Sequence, residues 1–195
     1  MTRTLLTALM ALTVAPAAHS ATPEPRPGVE FEHNDWSLAC DNTRTCRAAG
    51  YSPEEPGNLL SLMLERAGGP GAKVIARLRN GEDGESPTPT GALRLRLNGK
   101  DLGPVRDTGD GDKVLLQQAQ TDALVAALPR QARIEIIDGK GKAWPISDRG
   151  AAAVLLKMDE AQGRLGTPGA LVRRGDKPEA GVPAALPVPV IEIGR

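Results

Sequence analysis

Asp35-Trp36-Ser37-Leu38-Ala39-Cys40-Asp41-Asn42-Thr43-Arg44-Thr45-Cys46-Arg47-Ala48-Ala49-Gly50-Tyr51 gathers both cysteines, one of the two tryptophans and the only tyrosine of this 195-residue chain. Trp36, Leu38 and Cys40 alternate with Ser37 and Ala39; beyond the polar turn Asp41–Thr45, Cys46, Ala48 and Gly50 alternate with Arg47, Ala49 and Tyr51. Period-2 patterning on both sides of a turn rich in Asx and Thr predicts a β-hairpin. Cys40 and Cys46 then face one another across two strands, close enough at Cβ to be bridged. In an oxidising compartment two cysteines most economically form one bond. A redox-active pair would call for the two-residue spacing and helix N-terminus that depress a thiol pKa, and this stretch has neither.

The N-terminus points to such a compartment. Arg3 precedes the apolar run Leu5–Val14, and Pro16-Ala17-Ala18-His19-Ser20-Ala21 offers small residues at the cleavage positions of an export leader, with the cut expected after Ser20. The apolar run is shorter than the roughly 20 residues that cross a bilayer. The expected location is the periplasm or the medium outside the cell. Without Arg3, 23 of the 24 Lys and Arg remain against 24 Asp and Glu. That balance, with one Phe, one Tyr and two Trp, argues against nucleic acid as a partner, because nucleic-acid binders carry a basic surplus and stacking aromatics.

Further strands are predicted around the hairpin. Asn58–Arg66 ends at Gly68-Gly69-Pro70-Gly71, Ala72–Arg79 follows, and Leu93–Leu97 alternates strictly into an Asn98-Gly99 turn. Val114–Gln117 and Ala132–Ile137 complete the set. Thr121 is placed to cap a helix over Asp122–Leu128. Ser147 is placed to cap a longer one, with Ala151, Val154, Leu155, Met158 and Leu165 forming its apolar stripe. The expected fold is α+β and mostly β, an antiparallel sheet or sandwich carrying one disulfide-stapled hairpin and one or two packed helices. The organisation reads as a leader (1–20), a flexible proline-rich lead (21–28), one domain (29–167) and a proline-rich extended tail (168–195).

The hairpin sequence closely resembles the signature of a family of exported bacterial proteins known as domain of unknown function 1176. Trp144-Pro145-Ile146-Ser147-Asp148-Arg149-Gly150, with the helical segment and Gly166-Thr167 after it, fits the same family. The resemblance spans about Phe31 to Thr167. Relatives of this kind continue into a second half, whereas this chain stops after its proline-rich tail. A more distant resemblance is to the invasion-associated locus B proteins, exported β-rich proteins linked to host-cell invasion with no established enzymatic activity.

Reactive chemistry finds little support in the residues. Once the leader is gone His33 is the only histidine, so neither a zinc site nor a Ser-His or Cys-His nucleophile has the partners it needs. Phosphate-cradling and dinucleotide glycine loops are missing from the sequence. Asp107-Thr108-Gly109-Asp110-Gly111-Asp112 has a glycine where a calcium loop needs its third ligand and no distal Glu. No catalytic residue, metal or cofactor is therefore expected. Asp41, Asn42 and Arg44 on the hairpin turn, with Arg47 and Tyr51 opposite the cysteines, are the expected interaction surface, Arg and Tyr being common interface anchors. The expected function is a non-enzymatic binding module whose partner is a protein or glycan of the cell envelope, or a host macromolecule. An inhibitor or accessory subunit that reaches a cell-wall hydrolase through a projecting loop is the second expectation, and an enzyme using carboxylates on glycan the third.

Overall fold

The computed structural model describes residues 28–53, 60–80, 88–107 and 113–188. The expected leader, the lead up to residue 27, most of the Asp107–Asp112 cluster and the last seven residues lie outside them. Eleven strands and two α-helices are formed among the described residues. β1 (Val29–His33), β2 (Trp36–Cys40), β3 (Cys46–Tyr51), β4 (Ser61–Arg66), β5 (Val74–Arg79), β9 (Lys113–Leu115) and β8 (Arg106–Asp107) build one antiparallel sheet in that spatial order. β11 (Ala143–Ile146), β10 (Ile134–Ile137), β6 (Arg94–Leu97) and β7 (Lys100–Pro104) build a second.

Alternation decides which side of each strand is buried. In β2 and β3 the register pairs Trp36 with Gly50, Leu38 with Ala48 and Cys40 with Cys46, and all six are buried. Leu62 and Leu64 of β4, and Val74, Ala76 and Leu78 of β5, extend the same face. The second sheet adds Leu95, Leu97, Ile134, Ile136, Trp144 and Ile146 to the same core. Each Leu, Ile or Val enclosed in this way contributes about 1.5–3 kcal/mol, so a core poor in aromatics is built by repetition of aliphatic side chains. The Asn98-Gly99 turn joins β6 to β7 with both residues at positive φ, 52° and 81°, the twist that suits a two-residue hairpin loop.

The helices differ from expectation at their starts. α1 spans Gln118–Ala127 and is capped by Gln117, whose backbone N–H donates to Gln120 Oε1 at 2.9 Å. Thr121 lies buried inside the helix instead of at its cap. The physical reason is that Gln120 closes the box one turn earlier and also donates to the carbonyls of Leu102, Gly103 and Pro104, anchoring the helix to β7. A short 3-10 turn containing Pro129 then ends it. α2 spans Ala151–Ala161 and starts from Gly150, which has φ 96°; it packs on β1, β2 and β3. Ser147 does not cap it, and Leu165 lies beyond its end. β1, β7, β8 and β11 are strands beyond those the sequence pattern predicts, because short strands at sheet edges carry weak alternation.

The segment after α2 packs on the domain. Residues 164–188 run back over the domain through turns and a short 3-10 helix at Glu179–Gly181, with Ala170, Leu171 and Val182 buried. The backbone of this segment is bonded to α2 through Asp159.

Candidate functional site

Cys40 and Cys46 are joined by a disulfide, closing the loop Asp41–Thr45. Asp41 organises that loop. Its Oδ1 accepts the N–H groups of Thr43 and Thr45 at 2.9 and 3.0 Å, and its backbone N–H donates to Thr45 O at 2.9 Å. Burial alone would raise the Asp41 carboxyl pKa, but hydrogen bonds from Thr43, Thr45 and Arg47 outweigh it and hold the group below its ordinary value. This is the local chemistry of an Asx turn. Asn42 stays exposed.

Arg44 is held by the C-terminal segment. At φ 67° its side chain turns to the C-terminal segment, and Nη1 donates to Ala184 O at 2.7 Å. Leu186 N–H donates to Thr43 O at 3.0 Å. The hairpin tip is therefore strapped by residues 184–186 and does not project. Beneath it lies a hollow of about 310 Å³ lined by Asp41, Asn42, Arg44, Lys157, Glu160 and Pro183, with the disulfide as part of its wall. Lys157 Nζ and Glu160 Oε2 pair at 3.0 Å along α2. Arg47 and Tyr51 lie elsewhere, on the outer face of the seven-stranded sheet. Arg47 pairs there with Asp41 and Glu65, at 3.2 and 2.9 Å, and Tyr51 is 50% exposed. The structure thus brings together the three hairpin-turn residues, ties Arg47 to them through Asp41, and leaves Tyr51 apart at the far end of β3.

Lys157, Glu160 and Pro183 are lining residues that sequence reasoning missed. The signal available in the sequence is the polar side of α2, where Lys157 and Glu160 stand three apart opposite the apolar stripe. For Pro183 there was no signal, because its position depends on the fold-back of the whole segment.

A buried polar cluster holds that fold-back. Asp159, fully buried on α2, accepts the N–H groups of Leu171 and Val172 through Oδ2 at 2.7 and 2.9 Å, and its Oδ1 lies 3.5 Å from Arg66 Nη1. Arg66 donates to Ala72 O and Gly169 O at 3.0 and 2.7 Å. Arg164 donates to Ala67 O and Gly69 O at 3.2 and 2.6 Å. Burial, helped by the nearby Arg164 charge, lowers the Arg66 pKa to about 10, so Arg66 remains charged at neutral pH. Burial raises the Asp159 carboxyl, against the two backbone N–H groups and both guanidiniums.

The two stretches that suggested a family meet in space. Trp36 Nε1 donates to Ser147 O at 2.8 Å, and Ser147 Oγ donates to the Asp35 carboxylate. Asp35 N–H donates to Arg149 O at 3.1 Å, and Ala132 N–H to Asp148 Oδ2 at 2.7 Å. Gly50 leaves room for the Trp36 ring, which a Cβ would overlap. These residues lock the first hairpin to the start of α2. A family profile described as protein of unknown function (DUF1176) matches residues 30–194. The chain belongs to this family. It is also similar to the uncharacterized protein YpfG of Escherichia coli K12, at 29% identity over 154 residues, covering 78% of this chain and 44% of that one. The chain thus spans less than half the length of this relative. No solved structure matches. The match to the family profile runs through residue 194, past the expected boundary at Thr167.

His33, the histidine among the described residues, lies at the exposed end of β1, its ring stacked on Phe31 with centroids 6.4 Å apart. Two further carboxylates, Glu135 and Asp138, are held by structural partners as Asp41 is. Glu135 bridges Arg96 and Arg133, each at 2.9 Å. Asp138 accepts the N–H groups of Lys140 and Lys142 through Oδ1, both at 2.9 Å, and the Trp144 indole through Oδ2 at 3.1 Å.

Proposed function

We propose that the chain is an exported, non-enzymatic binding module of the cell envelope, with the hollow beside the disulfide as its recognition site. The supporting observation is the make-up of that hollow. Asp41, Asn42, Arg44, Lys157 and Glu160 present both signs of charge and an amide around about 310 Å³, against a rigid wall of disulfide and helix. A space of this size takes a few non-hydrogen atoms of a larger partner, such as a polar side chain or a short peptide end. A polypeptide or peptide-bearing glycan of the envelope offers such groups, and the distant resemblance to invasion-associated locus B proteins adds host macromolecules as candidate partners. The strapping of the hairpin tip by residues 184–186 favours this reading over a hydrolase inhibitor that inserts a projecting loop.

Ala161 lines the hollow at the end of α2, and Ala161→Trp fills it. The purified chain is immobilised and exposed to envelope extract and to purified peptidoglycan. A protein or glycan held by the native chain and released from Ala161→Trp is the expected result. Equal retention by both forms refutes the hollow as the site. Turnover of peptidoglycan fragments that stops when a single carboxylate is neutralised would establish an enzyme instead.

A further inference from the structure

The outer face of the seven-stranded sheet is covered by no other layer of the described residues. Its apolar members are Ala39, Ala49, Tyr51, Met63, Ile75 and Leu115; Ile75 is 39% and Tyr51 50% exposed. The charges on it are sorted. Glu30 and Glu32 occupy the β1 edge, Arg77 and Arg79 lie on β5, and Arg106 lies on β8 at the opposite edge. Glu65 at the centre is already held by Arg47 and Arg77, at 2.9 and 3.6 Å.

We propose that this face binds the same face of a second copy of the chain, forming a two-fold dimer. A face that is acidic at one edge and basic at the other is complementary to itself when rotated about an axis along the strands at β4, the middle strand. That rotation lays β1 on the partner's β8, which brings Glu32 toward the partner subunit's Arg106. It also brings Tyr51 toward the partner's Arg79, a cation–π geometry, and places Met63 on its own counterpart. An axis across the strands would set β1 on β1 and oppose glutamates. Charge therefore selects the first arrangement, an isologous contact between aligned sheets.

The size of the face sets the strength. Seven strands about 4.8 Å apart make a face roughly 30 Å wide and, over six residues, about 20 Å tall. Two copies would bury about 1,200 Å², the lower edge of specific interfaces. A dissociation constant on the order of 10 μM is expected, since area near that edge leaves little surplus over the cost of association.

The test is sedimentation velocity on the purified chain between about 1 and 100 μM, with circular dichroism to confirm that every variant is folded. A reversible dimer is expected for the native chain. Met63→Glu, at the centre, should abolish it. Glu32→Arg and Arg106→Glu should each weaken it at least tenfold, and the two together should restore it, because the swapped charges again face one another. A native chain that stays monomeric at 100 μM overturns the proposal. A dimer that survives Met63→Glu, or a charge swap without recovery, overturns it equally.

Discussion

Replacing Asp159 with Ala isolates the contact that holds the C-terminal segment on the domain. The native carboxylate accepts two backbone N–H bonds, from Leu171 and Val172, and stands beside Arg66 and Arg164, which are 5% and 0% exposed. Removing it leaves two N–H groups without an acceptor and takes the buried carboxylate from the two guanidiniums, with Glu179 as their remaining acidic neighbour. Breaking a buried ion pair from one side costs about 3–5 kcal/mol, because the remaining charge is uncompensated. With a urea dependence of about 2 kcal/mol per molar for a domain of this size, the unfolding midpoint should fall by about 2 M. Hydrogen exchange read by mass spectrometry should rise first in residues 166–188, ahead of β2–β5. Asp176→Asn is the control, an exposed carboxylate in the same segment that should move the midpoint by less than about 0.3 M, an ordinary surface effect. A loss of under 1 kcal/mol for Asp159→Ala, or exchange in 166–188 unchanged from native, would refute the account of the cluster as the latch of this segment.

Three further outcomes follow from contacts described above. Gly150→Ala would put a Cβ into the His33 carbonyl oxygen at a φ of 96°, so a loss of more than about 3 kcal/mol is expected; a melting temperature within about 2 °C of native would contradict it. Replacing both cysteines by alanine should cost roughly 2 kcal/mol from loop closure over a separation of six residues, seen as a lower denaturant midpoint with little change in native circular dichroism. Glu135 is held below its ordinary carboxyl value of 4.5 chiefly by its hydrogen bond from Arg96, with burial opposing and Arg133 adding to the effect. A folded-state value below the unfolded one means stability present above pH 4.5 and lost as pH falls through the folded value. The stability gap between native chain and Glu135→Gln should therefore be constant near neutrality and close in acid; a gap that widens below pH 4 would contradict the sign.

The parts of the fold legible in the sequence are those set by short-range pattern. Alternation over Trp36–Cys40 and Cys46–Tyr51 fixes which side chains enter the core, and the disulfide follows from that register. Leu93–Leu97 with Asn98-Gly99 is likewise self-contained. The helix starts were misplaced because the deciding contacts are remote. Gln120 reaches the carbonyls of β7, and Ser147 is taken by Asp35, more than one hundred residues away. A capping rule sees only neighbours. The hollow is half legible for the same reason, with Asp41, Asn42 and Arg44 readable as a polar turn and Pro183 arriving by fold-back. Asp159 did leave a trace, a carboxylate one residue past Met158 on the apolar side of α2, and a charge there is a sign of a buried partner.

Trp36 and Trp144 stand one in each sheet, both no more than 3% exposed and each with its indole N–H bonded, to Ser147 O and to Asp138. The chain therefore carries two native fluorophores with different surroundings. Lys142 sits 3.8 Å from the Trp144 ring, while Trp36 lies against Gly50 and has no cation over it among the described contacts. With Trp36→Phe the emission reports the four-stranded sheet, and with Trp144→Phe it reports the seven-stranded one. Comparing the two denaturation curves, each against circular dichroism of the same variant, reads whether the sheets melt together or in sequence without any added dye.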